Sequence, residues 1–307
     1  MKPTLSIIIL SYNTAKITVS CLNSINHDQG LKQIPTEIIV IDNASTDTSV
    51  TELKKIKNIK LICNSKNKGF AAANNQGAKV AQGNYLLFLN SDTIILHWGI
   101  SQCLTWLSSH PESIACSAQL LFKDGTVQPT GGFFPSLLNV FTWSTGFDDL
   151  PLTNKIIKPF HPHSPHFYTH DTFYLHNQKL DWVTGAFIMM RQQAFAATQG
   201  FDETYFMYAE EVEWFYRIKK QFPNHTVNYL IGPQITHLGG ASSPNKEQAI
   251  TSEYLGIIKF FAKHKGPIQT KIVKILLKSN AMLRSIIYQL KGNHQIANFY
   301  QNACSKI

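Results

Sequence analysis

Three stretches of this chain are apolar without alternation and stop abruptly at polar residues. Leu5–Leu10 runs into Ser11-Tyr12-Asn13, Glu37–Ile41 into Asp42-Asn43-Ala44-Ser45-Thr46-Asp47, and Tyr85–Leu89 into Asn90-Ser91-Asp92. Unbroken apolar runs of this length suit strands covered on both faces, as in a parallel sheet; a half-solvated strand would alternate. Helix-like segments lie between them, at Ile17–Ile25, Val50–Ile56 and Ala71–Ala81, with a further short strand at Lys60–Cys63. The alternation predicts a doubly wound α/β fold. In open sheets of this kind ligands bind outside the carboxyl ends of the strands. One polar cluster after a strand is an ordinary turn or helix cap, whereas three at three such ends make a candidate site.

The chain has 307 residues, 44% of them hydrophobic, enough for a full core in one large domain or two small ones. No segment approaches the roughly 18 continuous apolar residues of a membrane span. The apolar run after Met1-Lys2-Pro3 is too short for a signal-peptide core. Cys21, Cys63, Cys103, Cys116 and Cys304 are odd in number and lack paired spacing, which fits a reduced, cytoplasmic setting better than a disulfide scaffold.

The net charge of +9 is unevenly placed. From Ile250 onward the basic residues are Lys259, Lys263, Lys265, Lys271, Lys274, Lys278, Arg284, Lys291 and Lys306, against the single acid Glu253. The rest of the chain is nearly neutral, which argues for a basic appendage and against an enzyme body that wraps nucleic acid.

Residues 128–180 break the strand–helix pattern. They are rich in Pro, aromatics and His (His161, His163, His166, His170, His176). A metal site and an irregular surface insertion are both open readings. The Pro interruptions and the lack of helical His spacing favour an insertion near an acceptor site. Order returns with a strand at Trp182–Arg191 and a helix at Ala209–Phe222.

Seven motifs, in order, resemble those of the family 2 glycosyltransferases, and among them the rhamnosyltransferase-like bacterial subgroup. They are Ser-Ile-Ile-Ile-Leu-Ser-Tyr-Asn (6–13), Ile-Asp-Asn-Ala-Ser-Thr-Asp (41–47), Asn-Lys-Gly-Phe-Ala-Ala-Ala-Asn-Asn-Gln-Gly (67–77), Phe-Leu-Asn-Ser-Asp-Thr (88–93), Trp-Val-Thr-Gly-Ala-Phe (182–187), Gly-Phe-Asp-Glu (200–203) and Phe-Met-Tyr-Ala-Glu-Glu-Val-Glu-Trp (206–214). Each alone is weak; the ordered set is specific. The resemblance spans about Leu5 to Ser243. It implies a GT-A fold: a Rossmann-like nucleotide-binding mixed sheet flanked by helices. Residues 1–245 would form the catalytic domain and 246–307 a basic helical tail.

The resemblance implies a nucleotide-binding role for Asp42, with Ser11, Tyr12, Asn13, Asn43, Asp47, Gly69, Asn75, Asn90 and Ser91 around it. A carboxylate at Asp42 can accept hydrogen bonds from a pyrimidine N–H and from ribose hydroxyls. For Asp47 a plain cap of the next helix stays open. Asn90-Ser91-Asp92 matches the family's metal motif with Asn in its first place, so Asp92 alone supplies a carboxylate. His237 matches a histidine that ligates the metal in some relatives. A divalent cation, Mn²⁺ or Mg²⁺, prefers such oxygen-rich, sparsely liganded sites and neutralises a departing diphosphate. Glu210-Glu211 stands where the family has a Glu-Asp pair. Glu211 is the expected base of an inverting transfer, one methylene longer than the family's usual Asp. Trp182, Gly185 and Glu210 are expected to face the acceptor, and core packing is an equal reading for Trp182 and Trp214. Glu213, four residues before Arg217, reads as half of a surface ion pair.

Within Lys271–Leu290 a stripe of Ile272, Ile275, Leu276, Met282, Leu283, Ile286, Ile287 and Leu290 lies apart from the basic residues. Such a basic amphipathic helix suits peripheral attachment to an anionic membrane surface, at the inner face of the plasma membrane, beside a lipid-linked saccharide acceptor. A helix packed on the catalytic domain with a solvated basic face is the other reading. The expected function is transfer of rhamnose or a related hexose from a nucleoside-diphosphate sugar, in envelope polysaccharide or O-antigen assembly. A catalytically silent sugar-nucleotide-binding protein is the alternative. A nucleotidyltransferase would need a Gly-rich basic loop after the first strand, where Ser11-Tyr12-Asn13-Thr14 stands instead.

Overall fold

A computed structural model describes residues 2–147, 157–158, 172–239 and 246–307. The four predicted N-terminal strands form, as β1 (Leu5–Ser11), β2 (Thr36–Asp42), β3 (Ile59–Cys63) and β4 (Tyr85–Asn90). They pair in parallel in the order β3-β2-β1-β4. Alternate residues of each run serve opposite faces, as strand geometry requires. Ile8, Ile39, Ile41 and Phe88 enter one core cluster, and Leu5, Ile7, Ile9, Val40, Leu87 and Leu89 the other. That two-sided burial is why the runs carry no polar alternation.

Helices α1 (Ala15–Ile25), α2 (Ser49–Leu53) and α3 (Gly69–Val80) connect these strands. Beyond β4 the sheet becomes mixed. β5 (Thr93–Ile95) and α4 (Gly99–Ser109) lead to β6 (Ser113–Leu121), followed by the short β7 (Val127–Gln128) and β8 (Gln178–Leu180), then β9 (Phe187–Arg191) and β10 (Thr226–His237). β9 is inserted antiparallel between β4 and β6, and β10 runs parallel to β6 and antiparallel to β5. The purely parallel pattern of the first hundred residues therefore does not extend across the sheet.

The strand expected over Trp182–Arg191 starts only at Phe187. Trp182 pairs through an isolated bridge with Gly132, and the following residues turn toward the site. Of the expected insertion, α5 (Leu137–Thr145) is a regular helix opened by a Ser136–Asn139 capping box. His161, His163, His166 and His170 lie outside the described residues.

Helices α6 (Gln192–Thr198) and α7 (Glu210–Gln221) follow β9. Glu210, Glu211 and Glu213 in the first turn of α7, with Lys219 and Lys220 in its last, match the helix dipole. Trp214 of α7 is fully buried against Phe88 and Phe201, with ring centroids 5.4 and 4.1 Å away. It fills the core, so the sugar-stacking reading fails for this ring.

Three helices close the chain: α8 (Lys246–His264), α9 (Pro267–Leu290) and α10 (His294–Lys306). Tyr254, Ile257, Phe260, Val273 and Leu277 belong to the same core cluster as Trp214 and Phe88. α9 buries Val273, Leu277, Asn280 and Ala281. Asn280 donates to the Ser144 carbonyl of α5 at 2.8 Å, and the Arg284 guanidinium lies 5.4 Å from the Trp143 ring centre.

Candidate active site

A cleft of about 260 Å³ opens at the carboxyl ends of β1, β4 and β6. Its walls include Tyr12, Asn43, Gly69, Asn90, Ser91, Asp92, Gly185, Glu210, Glu211 and His237. Nine residues from six separate sequence motifs, with His237 as a tenth, thus converge on one space. The joins are long-range. Thr93 of β5 is the antiparallel partner of His237 of β10, which sets Asp92 beside the imidazole. Leu89 of β4 pairs with Phe187 of β9, and Asn90 N–H reaches the Ala186 carbonyl at 3.1 Å, which carries Gly185 to the same rim.

Glu211 is half-buried, and its Oε1 accepts the Gly185 N–H at 2.8 Å. Burial pushes its carboxyl above the usual range, opposed by its own backbone N–H and that of Gly185. A Cβ on Gly185 would fall 2.6 Å from Phe70 Cζ and 2.9 Å from Glu211 Oε1, so a larger residue must push these side chains aside. Glu210 is 2% exposed and its Oε2 has no hydrogen-bond partner among the described residues. Burial, and next the Glu211 charge, push it well above the ordinary value, which favours its protonated form. Both acidic side chains line the cleft, although successive helix residues diverge by about 100°. Glu213 is a correction: it is fully buried, not on the surface. Its carboxylate accepts from Arg217 Nε at 2.9 Å, Lys263 Nζ at 2.6 Å and His264 Nε2 at 3.0 Å.

Asp42 is 1% exposed at the end of β2. Its Oδ2 accepts Ser45 N–H at 2.9 Å, while Oδ1 has no partner among the described residues. Asn43 is fully used in the loop framework: its Oδ1 accepts from Asn64 and Lys68 N, and its Nδ2 donates to Asn67 Oδ1 and Gly69 O. Gly69 (φ 81°) turns the chain into α3 where a Cβ would meet Phe206 O at 2.6 Å.

Several expected nucleotide contacts are occupied elsewhere. Ser11 is buried, its Oγ shared with Thr18 at 3.0 Å. Asn13 (φ 53°) and Asp47 clasp the loops after β1 and β2: Asn13 Oδ1 accepts Thr46 N–H, and Asp47 accepts from Ser49 N and Ala15 N. The cap reading of Asp47 is the one its contacts describe. Asn75 faces inward but away from the cleft; its amide donates to the Phe201 carbonyl at 2.8 Å and accepts Phe201 N–H at 2.9 Å. Trp182 is 7% exposed with Nε1 donating to Phe133 O at 3.2 Å, so its ring offers no face to an acceptor.

Gln128, Met207 and Tyr208 also line the cleft and were not singled out. Met207 and Tyr208 sit inside a quoted motif, and only their distant partners reveal their role; Gln128 carried no signal. A larger cavity of about 460 Å³ lies at the far end of β6, around Ile114, Phe134 and Phe215; among the described residues its one carboxylate is Asp181, which accepts Phe134 N–H.

Asp92 is 1% exposed, and neither oxygen accepts a hydrogen bond from any described residue. An ionised carboxylate left thus is costly unless a cation supplies the missing partner. His237 Nδ1 lies 3.0 Å from Gln128 Oε1, which only accepts, so Nδ1 carries the proton. In neutral His237 the Nε2 lone pair then faces Asp92 Oδ1 at 3.4 Å. Two lone pairs at that distance repel until a proton or a metal ion lies between them. Among the described residues no group of three or more His, Cys, Asp or Glu converges as a cage. Two protein ligands suit a cation that takes its other ligands from phosphate and water. The residues fit Mn²⁺ or Mg²⁺.

The chain belongs to glycosyl transferase family 2, whose model matches residues 6–197, more than half of its length. It is 26% identical over 198 residues to an N-acetylglucosaminyl-diphospho-decaprenol L-rhamnosyltransferase of Mycobacterium tuberculosis, a match covering 58% of this chain and 59% of that protein. It is 35% identical over 130 residues to a UDP-Glc:alpha-D-GlcNAc-diphosphoundecaprenol beta-1,3-glucosyltransferase of Escherichia coli, over 42% of this chain and 50% of that protein. The chain thus spans 50–59% of the length of these curated relatives. Among solved structures, a mannosyltransferase from Pyrobaculum calidifontis in complex with GDP-Man and Mn²⁺ superposes with TM-score 0.57 at 13% identity, over 100% of this chain and 87% of that one. The likeness establishes the GT-A fold implied by the motifs.

Proposed function

We propose that the protein is an inverting, metal-dependent glycosyltransferase that moves rhamnose or a related hexose from a nucleoside-diphosphate sugar to an acceptor hydroxyl in cell-envelope polysaccharide or O-antigen assembly. One observation carries the reading: a single cleft holds the Glu211 carboxylate, pinned by Gly185, together with the unpartnered Asp92 beside His237. The buried, unpartnered Oδ1 of Asp42 supports recognition of a base N–H or ribose hydroxyl. Asp92 and His237 would hold Mn²⁺ or Mg²⁺, which when bound neutralises charge on the departing diphosphate. Glu211 takes the proton of the acceptor hydroxyl as its oxygen bonds to the anomeric carbon; the bond to the diphosphate breaks on the opposite face, and configuration inverts. Glu210, whose burial favours the protonated form, would donate to an acceptor oxygen. The names of the two relatives, which describe lipid-diphosphate-linked saccharides, support an acceptor of that class.

The test is a panel of nucleotide sugars with Mn²⁺ and lipid-linked saccharides, with release of nucleoside diphosphate as the readout. Glu211→Gln should abolish transfer and keep donor binding. Undiminished transfer refutes the base; no turnover with any pair favours a silent binding protein.

We also infer attachment of α9 to an anionic membrane on the cytoplasmic side. Except for Leu276, which packs on the core, its stripe faces outward: Ile275 is 60%, Met282 56%, Ile286 56% and Leu290 83% exposed, with Lys271, Lys274, Lys278 and Lys291 nearby in sequence. Apolar exposure on this scale marks an interaction surface. No helix among the described residues is long and apolar enough to cross a membrane, so the contact would be peripheral. Ile275→Glu with Ile286→Glu should abolish cosedimentation with phosphatidylglycerol vesicles; unchanged cosedimentation would sink the inference.

A further inference from the structure

The two residues before Glu210 are both left-handed: Tyr208 at φ 71° and Ala209 at φ 66°. Consecutive left-handed residues with a Cβ are disfavoured and persist only where surrounding structure holds them. α8 supplies that hold. A Cβ on Gly256 would lie 2.7 Å from Ala209 Cβ and 3.1 Å from the Tyr208 carbonyl oxygen, so α8 seats on this turn with nothing between.

Two helical turns further, on the same face, Lys263 and His264 reach the fully buried Glu213 of α7 at 2.6 and 3.0 Å. Lys263 also bonds Asp202 at 3.0 Å, and Lys259 donates to the Thr204 carbonyl at 2.5 Å. Arg217 completes the grip, with its guanidinium on Glu213, the Thr198 carbonyl and the Gly200 carbonyl. α8 therefore touches the 202–209 loop at both ends and the first turn of α7 on its inner side. That loop also lines the cleft through Met207 and Tyr208, and its Phe206 carbonyl accepts Phe70 N–H at 2.8 Å.

We propose that α8 is a positioning element of the transfer reaction: Gly256 on the Tyr208–Ala209 turn, and Lys263 on Glu213, fix where α7 presents Glu211 to the Gly185 N–H. The inference rests on Glu211 being the base. Neither Gly256 nor Lys263 lines the cleft, so both act through Glu211.

Gly256→Ala is the primary test. The new methyl must displace the Ala209 turn, and a base misplaced by under an ångström should lower kcat for transfer at least about tenfold. The donor KM should stay within about twofold, because the donor side of the cleft belongs to other elements. The acid limb of kcat should move to higher pH, since Glu211 loses a hydrogen bond that favours its anion. Adding Ala209→Gly removes the struck methyl and should restore kcat to within about threefold of wild type. If Gly256→Ala does not fold, Lys263→Met, which keeps the apolar stem, is read by the same kcat, KM and pH criteria. Wild-type kcat in a folded Gly256→Ala, a donor KM that worsens in step with kcat, or no rescue by Ala209→Gly would overturn the proposal. The underlying reading fails separately: Glu211→Gln would then keep its transfer activity.

Discussion

Glu211→Asp installs the residue that the family usually carries, and in this chain it should be harmful. Loss of one methylene withdraws the carboxylate by about 1.5 Å. The 2.8 Å contact with Gly185 N–H then opens beyond hydrogen-bonding range. A hydrogen bond to a charged group contributes about 1.5–3 kcal/mol. At about 1.4 kcal/mol per tenfold, that is roughly one to two orders of magnitude in rate if the bond is needed in the transition state. A base must come within about 3 Å of its proton, so the displacement itself acts in the same direction. The expected kcat for transfer falls about 100-fold, with donor KM changed by less than about threefold. The assay is steady-state product formation with a turnover-competent donor and acceptor, beside donor affinity by calorimetry. Gly185→Ala is the paired perturbation, since its methyl would press on the same oxygen at 2.9 Å. Glu211→Asp that equals or exceeds the wild-type rate would show that the Gly185 contact does not set the base.

Gln128→Ala should weaken Mn²⁺ affinity by about 10- to 100-fold, because it removes the acceptor that orients His237; titration with nucleoside diphosphate present reads this, and unaltered affinity would remove His237 from the site. The acid limb of kcat should lie above the ordinary glutamate range, because burial raises the Glu211 carboxyl and only its anion can take a proton; a limb at the ordinary value argues against Glu211. For Glu210 the folded-state value is raised, so its contribution to stability is complete below the unfolded value and lost as pH rises through the folded one. Glu210→Gln should therefore raise Tm at pH 8 relative to wild type and leave it nearly unchanged at pH 4, and an equal shift at both pH values would refute this. Gly69→Ala should cost about 1–3 kcal/mol by denaturant titration, since it combines φ 81° with a 2.6 Å approach to Phe206 O; a neutral substitution would mean that the 206–209 loop yields freely.

The sequence by itself determined the first four strands, their polar ends and the family. Strands buried on both faces must be continuously apolar, and a chain leaving such a strand must turn at polar residues, so period and punctuation suffice. The Glu210-Glu211 pair and Asp92 were legible for the same reason: each sits next to an element whose pattern fixes its place. What lay beyond was decided by pairings far apart in the chain. No local signal says that β9 runs antiparallel between β4 and β6, yet that arrangement brings Gly185 to Glu211. Trp182, Trp214 and Asn75 have side chains equally suited to a ligand or a core, and only packing assigned them inward. Glu213 looked like a surface partner of Arg217 until Lys263 and His264, about fifty residues later, closed over it. The C-terminal segment left both readings open in sequence. One side of α9 is bound into the core through Val273 and Leu277, while its apolar stripe remains turned outward, because a helix has two sides and composition does not say which one the rest of the chain will cover.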